Sequence, residues 1–317
     1  MLQQTRVDQV VPYFERFLKR FPTIKALAEA DQQEVLKAWE GLGYYARARN
    51  LHKTAIHLHT QCQGRFPKTY EDLLALPGIG PYTAAAISSL AYGSPHAVLD
   101  GNVIRVLSRV FAFTPSVSQA RNKQRLQEAA DALLPLGNAA AFNEGVMELG
   151  ATVCMPRKPL CLLCPIKTVC KGQHDPHAYP VKDKKKPIPT VVVGAAAIFD
   201  RSQRVLIARR HQKGLLGGLW EFPGGKLEPG ESLEACTARE IKEELGVDIS
   251  VGEKLMIVHH TYSHFKLEMH VFICRIVKGR PRAVDCADFA WCTLEELDAY
   301  PYSKADLYVV DALKRQA

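Results

Sequence analysis

Four of the nine cysteines lie within one short segment of the chain. Cys154, Cys161, Cys164 and Cys170 are spaced C-x6-C-x2-C-x5-C. Thiolates at this density bind soft metals, so the spacing predicts either a zinc ion or an iron–sulfur cluster. Unrelated buried cysteines are the alternative. The other cysteines lack such spacing and are expected to be packing residues: Cys62, Cys236, Cys274, Cys286 and Cys292.

A group of carboxylates in the second half of the chain forms a second candidate site. Glu240, Glu243 and Glu244 stand at positions i, i+3 and i+4, so they share one face of a helix. Carboxylates placed in this way can hold Mg²⁺, which bridges a diphosphate and activates water. A solvated acidic helix face is the alternative, but it does not account for the glycines and the arginine at fixed offsets before it.

A glycine-containing turn and an aspartate suggest a third site. Residues 76–83 read L-P-G-I-G-P-Y-T, and Gly78 and Gly80 allow a tight turn between two helices. Backbone amides at the start of the second helix can hold a DNA phosphate, although an ordinary helical hairpin would look the same. Asp100, in L-D-G-N-V at 99–103, precedes another predicted helix, where an N-cap is the alternative role.

The elements that carry these groups fall into two halves. Apolar residues at intervals of three and four predict consecutive helices from Gln3 to about Gly150. A polar, lysine-rich and proline-containing stretch then predicts a linker. The second half mixes strand-like and helical patterns. The strand-like runs are 191–199, 205–208, 255–259 and 266–277, and the helical one is 233–245. The predicted domains are therefore 1–173 and 190–317, joined by a basic linker at 174–189.

Charge is unevenly distributed over the 317 residues. Residues 1–189 contain 24 basic and 15 acidic side chains, whereas residues 190–317 contain 17 and 18. A basic first half suits a polyanion such as DNA, and a solvated basic surface is the alternative. The chain has no apolar stretch long enough to span a bilayer and no signal peptide pattern. We therefore expect a cytoplasmic protein without membrane contacts.

Five motifs occur in order in the first half and together resemble one family. They are M-L-Q-Q-T at 1–5, G-L-G-Y-Y-A-R-A-R-N at 41–50, the turn at 76–83, L-D-G-N-V at 99–103 and the four cysteines. The combination resembles the helix-hairpin-helix DNA glycosylases with a [4Fe-4S] cluster, and within them the MutY-like adenine glycosylases. The resemblance covers residues 1 to about 172 and implies an all-α domain whose cysteines hold a [4Fe-4S] cluster. It also implies a monomer in the bacterial cytoplasm that is associated with the nucleoid while it acts.

The resemblance also implies a reaction and assigns residues to it. MutY-like enzymes hydrolyse the N-glycosidic bond of adenine paired with 8-oxoguanine, through an oxocarbenium-like transition state. Asp100 matches the carboxylate that stabilises this positive charge, and Asn102 and Tyr82 match its polar neighbours. Bifunctional relatives such as endonuclease III have a lysine where this chain has Tyr82. We therefore expect base removal without cleavage of the DNA strand.

Further residues are assigned to DNA by the same resemblance. Gln4 and Tyr44 match side chains that wedge into the duplex while adenine is flipped out, and Gly78 and Gly80 match the phosphate-holding hairpin. The family's general-acid glutamate lies just before the position of Met1. We expect the chain as written to lack that acid, with weak or no excision. Either the reading frame continues upstream or the activity has decayed.

The second half resembles another family. Residues 225–247 fit G-x5-E-x7-R-E-U-x-E-E-x-G-U, where U is aliphatic. The stretch W-E-F-P-G-G-K at 220–226 leads into this pattern and overlaps its first two residues. This resembles the Nudix box of MutT-like pyrophosphohydrolases of oxidised nucleotides, and so implies an α/β Nudix domain. The implied Mg²⁺ and catalytic residues are Gly224, Glu231, Arg239, Glu240, Glu243 and Glu244.

The intact Nudix box departs from the pattern of MutY-like proteins, because these normally end in a MutT-like domain that has lost the box. H-T-Y-S-H-F at 260–265 nevertheless looks like the MutY loop that contacts 8-oxoguanine, with Ser263 at the contacting position. Isolated histidines at a strand edge are the alternative. The leading hypothesis is thus an adenine DNA glycosylase. A second is a Nudix hydrolase of nucleotides such as 8-oxo-dGTP, acting alone or as a further activity, and a third is a lesion-binding protein without catalysis.

Overall fold

The computed structural model describes residues 1–3, 5–184 and 187–316. Gln4, one of the predicted DNA contacts, lies outside these residues. Contacts group the chain into two compact units: Met1–Gly64 with Pro187–Ala317, called here the composite unit, and Arg65–Lys186, called the middle unit. This grouping differs from the motif-based boundaries 1–173, 174–189 and 190–317, which stay a prediction.

The composite unit begins with four helices. They are α1 (Val7–Arg20), α2 (Ile24–Glu29), α3 (Gln32–Trp39) and α4 (Ala46–Gln61). Thr23 and Asp31 cap α2 and α3 with side-chain oxygens, which satisfies free amides at those helix starts. Trp39 and Phe17 pack in the core of this helical segment, and Leu219 from the distant part of the chain packs into the same cluster. One hydrophobic core therefore contains both stretches of sequence.

Hydrogen bonds strengthen this association within the composite unit. Lys37 Nζ donates to the Tyr300 carbonyl at 2.9 Å, and the Tyr302 amide donates to Glu40 Oε1 at 2.8 Å. The Tyr45 hydroxyl donates to the Tyr302 carbonyl at 2.8 Å. These bonds join residues more than 250 positions apart, which explains why the first 64 residues group with the C-terminal part.

One face of α1 is apolar and exposed. Val7, Val11, Phe14 and Leu18 follow the i, i+4, i+7, i+11 spacing of a single stripe, and all four are exposed. Val10 and Phe17, on the neighbouring face, are buried. The stripe is therefore largely uncovered by the residues that the structure describes.

The remainder of the composite unit is a mixed sheet covered by two helices. In chain order it contains β1 (Thr190–Phe199), β2 (Val205–Arg209), β3 (Trp220–Glu221), β4 (Gly224–Lys226), α10 (Leu233–Leu245), β5 (Asp248–Thr261), β6 (Lys266–Lys278), β7 (Asp288–Cys292) and α11 (Lys304–Gln316). The central order is β3-β2-β1-β6-β5, with β4 paired to β1 and β7 to β2. Among the pairings between these strands, β1–β6 is parallel and the other five are antiparallel.

Both faces of β1 are buried, which explains its run of small apolar residues. Ala195 and Ala197 face one hydrophobic cluster, which includes Val309 of α11. Ala196 and Ile198 face the other, which includes Ile241 of α10. All the strand-like runs and the helix predicted in this half are present, while β3, β4, β7 and α11 were not predicted.

The middle unit is helical. Its helices are α5 (Tyr70–Leu74), α6 (Pro81–Tyr92), α7 (Gly101–Val110), α8 (Ala120–Leu133) and α9 (Ala139–Glu148), followed by short π and 3-10 turns up to Ala178. Val103 and Leu107 of α7 pack with Leu126 of α8 in its core. The first half of the chain is therefore all-α, as predicted. In the described ranges, no helix combines the length and apolar character needed to cross a membrane.

Candidate functional site

Asp100 is the N-cap of α7. Its Oδ1 accepts a hydrogen bond from the Val103 amide at 2.7 Å, and its Oδ2 accepts one from Asn102 Nδ2 at 3.1 Å. The N-cap role is thus observed, and the carboxylate is held in a fixed orientation by its own helix. Capping uses few of the acceptor positions of a carboxylate, so Asp100 can also stabilise a positive charge nearby.

Arg105 connects Asn102 to the cysteine loop. This buried side chain donates to Asn102 Oδ1 at 2.8 Å, to the Gly150 carbonyl at 2.6 Å and to the Cys154 carbonyl at 2.7 Å. Burial lowers the pKa of Arg105, and the nearby Cys154 opposes this effect. A chain of hydrogen bonds therefore leads from Asp100 through Asn102 and Arg105 to the first cysteine. The sequence patterns did not single out Arg105, although it lies one helical turn after Asn102.

The four clustered cysteines line one small cavity together with Arg109. Arg109, almost fully buried, donates to Cys154 Sγ at 3.2 Å and to the Met155 carbonyl at 2.9 Å. Burial raises the pKa of Cys170, with the other three cysteines contributing in the same direction. Four thiols on one cavity, with a guanidinium donating to sulfur, are a donor set that fits an iron–sulfur cluster.

Tyr82 and Asp100 are neighbours in the middle unit. Tyr82 is the second residue of α6 and is 40% exposed. Burial of the remainder raises the pKa of its hydroxyl, and the negative charge of Asp100 raises it further. The structure therefore places Tyr82 within electrostatic range of Asp100, which Asn102 contacts directly.

The turn before α6 has the geometry that its glycines allow. Gly78 has φ +75°, a left-handed conformation that favours glycine. Gly80 precedes Pro81 at the start of α6, and a Cβ placed there would meet no atom within 4 Å. The helix start is thus sterically open to a ligand, and its contact with a DNA phosphate stays a prediction.

Tyr44 and Ser263 meet at a cavity of the composite unit. Their hydroxyl oxygens are 2.9 Å apart. The cavity, called here the Tyr44 cavity, has a volume of about 460 Å³ and is lined mainly by residues 41–46, 214–216 and 260–265. Tyr44 has φ +50°, and Arg47 lies 5.4 Å from the centre of its ring while donating to the Gly43 carbonyl at 3.1 Å. Arg47 therefore helps to hold Tyr44 in this unusual backbone conformation.

Arg239 organises the carboxylates of α10. It donates to both oxygens of Glu231 at 3.0 Å, to Glu240 Oε1 at 2.8 Å and to Glu243 Oε2 at 3.3 Å. These bonds raise the pKa of Arg239, and the bond from Arg239 lowers that of Glu231. Arg239 thus fixes the orientation of three carboxylates.

Glu244 occupies a more buried position beside Gly224. Its Oε2 accepts a hydrogen bond from the Gly224 amide at 3.2 Å. Burial raises the pKa of Glu244 to about 8, and the charges of Glu221 and Glu240 add to this effect. A Cβ at Gly225 would collide with the Glu240 carboxyl group, so a larger residue here would displace that group. Several carboxylates grouped on one helix are the oxygen ligands that a hard cation such as Mg²⁺ prefers.

No three His, Cys, Asp or Glu side chains within 1–3, 5–184 and 187–316 are arranged as ligands of a single metal ion. The donor sets described above are therefore assigned to cofactors by their chemistry and grouping. Thiols and carboxylates are the donor types that an iron–sulfur cluster and Mg²⁺ respectively prefer, and the binding of these groups stays a prediction.

A second cavity of the composite unit contains charged residues that the sequence motifs do not assign to a site. It has a volume of about 170 Å³ and is called here the Asp306 cavity. Asp306 accepts bonds from the Phe222 amide at 3.1 Å and from Ser303 Oγ at 2.7 Å. Burial raises the pKa of Glu221 to about 7, although its ion pair with Arg210 acts in the opposite direction. Glu221 lies in the W-E-F-P-G-G-K motif, whereas no motif marked Arg210 or Asp306.

Two family models match the chain. Residues 1–133 match the HhH-GPD superfamily of base excision DNA repair proteins, and residues 194–312 match the NUDIX domain. These matches confirm the predicted fold, a helix-hairpin-helix glycosylase domain followed by an α/β Nudix domain. A solved thermostable thymine-DNA glycosylase is 30% identical, with a TM-score of 0.50, over 55% of this chain and 80% of that one.

Relatives named adenine DNA glycosylase match along most of the chain. The protein of Buchnera aphidicola subsp. Schizaphis graminum is 34% identical over 85% of this chain and 76% of its own length. The human protein is 33% identical over 96% of this chain and the rat protein 32% over 93%. The chain spans 65% and 66% of the human and rat proteins, respectively.

Proposed function

Because the chain belongs to the adenine DNA glycosylase family, we propose that it acts in base excision repair by removing adenine paired with 8-oxoguanine in duplex DNA. The observation that carries this proposal is the orientation of Asp100 by Asn102, with Arg105 fixing Asn102 against the cysteine loop. A preorganised carboxylate is what a developing positive charge on deoxyribose requires.

The reaction is hydrolysis of the N-glycosidic bond. Adenine must first leave the base stack to reach Asp100, at a cost of a few kcal/mol. As the bond to adenine breaks, the sugar gains oxocarbenium character, and Asp100 stabilises that charge electrostatically. Water then adds to the sugar carbon, which leaves an abasic site and free adenine. Tyr82 has no amine for a Schiff base, so the DNA strand stays intact.

The cofactor and partner assignments follow from the same family membership. A [4Fe-4S] cluster bound by Cys154, Cys161, Cys164 and Cys170 would cross-link the loop that Arg105 and Arg109 contact. The lesion base is assigned to the Tyr44 cavity, where Tyr44 and Ser263 present paired hydroxyls. The protein would act as a monomer on DNA in the cytoplasm.

Adenine release from a duplex with adenine opposite 8-oxoguanine tests this function. Asp100→Asn is expected to reduce the single-turnover rate by about 10²-fold or more, because it removes the negative charge but keeps the shape. Asp311→Asn, an exposed change on α11, is the matched control. Strands should break only after alkali. Wild-type activity in Asp100→Asn, or strand cleavage without alkali, would contradict the assignment.

A second activity is favoured by the α10 carboxylates. We propose that the chain also hydrolyses oxidised purine nucleoside triphosphates such as 8-oxo-dGTP. Glu240, Glu243, Glu244 and the Gly224 carbonyl would hold Mg²⁺, which would polarise the diphosphate and activate water. Arg239 keeps Glu231, Glu240 and Glu243 oriented for this purpose. Water attacks phosphorus, the bridging P–O bond breaks, and nucleoside monophosphate and pyrophosphate are released.

Release of pyrophosphate from 8-oxo-dGTP in the presence of Mg²⁺ tests the second activity. Glu243→Gln is expected to abolish it, whereas Glu234→Gln, an exposed change on the same helix, is expected to leave it intact. Adenine release should be unaffected by Glu243→Gln. If neither reaction occurs while lesion DNA is still bound preferentially, the chain is a lesion-binding protein without catalysis.

A further inference from the structure

The two cavities of the composite unit share a wall. Leu215, Leu216, Tyr262 and Phe265 line both the Tyr44 cavity and the Asp306 cavity. The rings of Tyr262 and Phe265 stack with their centres 4.9 Å apart. A ligand that displaces these rings from one side must therefore change the shape of the cavity on the other side.

Hydrogen bonds connect the shared wall to both cavities. On one side, the Tyr262 hydroxyl lies 3.4 Å from Ser303 Oγ, which donates to Asp306. On the other side, Ser263, the next residue after Tyr262, meets Tyr44. The Tyr262 amide donates to the Phe265 carbonyl at 2.9 Å and closes the β5–β6 turn that contains Ser263. Movement of Tyr262 therefore also moves Ser263.

The chemistry of the Asp306 cavity suits a purine nucleoside triphosphate. Asp306, Glu221 and Arg210 provide hydrogen-bond acceptors and donors for the edge of a base, and Phe222 and Met269 provide apolar surface for its face. Gly224 and Gly225 line the same cavity and contact the α10 carboxylates, so a base bound here would have its phosphates beside the Mg²⁺-binding residues.

We propose that a purine nucleoside triphosphate in the Asp306 cavity and lesion-containing DNA at the Tyr44 cavity weaken each other's binding through the shared wall. This inference rests on both proposed functions. The base needs room against Tyr262 and Phe265, and the lesion needs Ser263 in the position set by the same turn. Because such coupling is reciprocal, a high concentration of oxidised nucleotide would restrain lesion recognition, and bound DNA would slow nucleotide hydrolysis.

Fluorescence anisotropy with the full chain tests this coupling. A labelled duplex containing 8-oxoguanine opposite adenine is titrated with and without the α,β-methylene analogue of 8-oxo-dGTP, which resists hydrolysis, in the presence of Mg²⁺. At saturating nucleotide, the Kd for the duplex is expected to rise roughly 5-fold or more and then reach a plateau. Calorimetric titration of the nucleotide into free and DNA-bound protein should show the same factor.

Two controls separate this coupling from simpler effects. Tripolyphosphate, which carries charge but no base, is expected to leave the Kd for the duplex unchanged. The coupling factor is the Kd for the duplex at saturating nucleotide divided by the Kd without nucleotide, both measured on the same variant. Tyr262→Phe keeps the ring but loses the hydroxyl near Ser303, and should reduce this factor. Tyr308→Phe, on α11 and outside both cavity linings, should retain the factor of the wild type.

The outcomes are distinguishable from failure of the proposed functions. An unchanged Kd for the duplex at proven nucleotide saturation would overturn the coupling alone. Equal shifts with tripolyphosphate would also overturn it, because they would show competition between charges. Absence of nucleotide binding would overturn both the coupling and the nucleotide hydrolase activity, whereas absence of preference for lesion DNA would overturn the coupling and the assigned lesion site.

Discussion

The hydroxyl groups of Tyr44 and Ser263 lie 2.9 Å apart although 219 positions separate the two residues. Tyr44 stands in the loop between α3 and α4, and Ser263 stands in the turn between β5 and β6. The contact lies within one compact unit, in which the first helices share a core with Leu219. The candidate lesion site therefore depends on packing between the two halves of the sequence.

Substitution of Ser263 should affect recognition of the lesion more than binding of DNA in general. Ser263→Ala is expected to weaken binding of the 8-oxoguanine:A duplex about 3- to 10-fold, the effect of one hydrogen bond, with little change for a G:A duplex. Anisotropy on both duplexes measures this difference. Ser202→Ala, in an exposed turn, is the control. Equal losses on the two duplexes would argue against a role in lesion recognition.

Arg105 should support both stability and catalysis. Arg105→Lys cannot reproduce the bonds to Asn102, Gly150 and Cys154, so buried acceptors would lose their donors. We expect a loss of about 2 to 4 kcal/mol in the free energy of unfolding and slower adenine release. Urea denaturation and single-turnover kinetics measure the two effects. Arg121→Lys, an exposed change on α8, should behave as the wild type. A normal rate of adenine release in Arg105→Lys would show that Arg105 does not position Asp100.

Two glycines of the middle unit offer a matched comparison. A Cβ at Gly150 would lie 2.6 Å from Asn102 Cβ, so Gly150→Ala should push Asn102 away from Asp100. We expect a loss of roughly 1 to 3 kcal/mol in stability and a lower rate of adenine release. Gly145 in α9 faces open space, and Gly145→Ala should stabilise the protein by about 0.5 to 1 kcal/mol. Thermal unfolding and the excision assay would detect the contrast. Similar behaviour of the two variants would mean that the close approach at Gly150 is not needed.

Motifs with strict local spacing allowed the sites to be predicted from the sequence. The interval between Glu240 and Glu244 places them on one face of a helix wherever that helix lies, and the predicted helix 233–245 coincides with α10. Likewise, the cysteines are close in sequence, so their convergence on one cavity depends little on the remaining fold.

Residues that act through distant contacts could not be predicted in this way. Asp306 belongs to α11, and its partners Phe222 and Arg210 are defined only once the strands pair. The grouping of α1–α4 with the sheet depends on side chains such as Glu40, which looks like an ordinary exposed acid in its own helical pattern but accepts a bond from the Tyr302 amide. No local periodicity carries that information.

Glu221 should make stability depend on pH. Burial raises its pKa from an ordinary 4.5 to about 7, so the folded protein binds this proton more tightly than the unfolded chain. The stabilisation is fully present below pH 4.5 and is lost as the pH rises through about 7. The Glu221→Gln variant cannot ionise at this position. Relative to it, the free energy of unfolding of the wild type is expected to fall by on the order of 3 kcal/mol across this pH interval. Urea denaturation at pH 5 and pH 8 measures the difference. Glu228→Gln, an exposed change, should follow the wild type at both values. Parallel stability curves for Glu221→Gln and the wild type would show that Glu221 is ionised throughout, held so by Arg210.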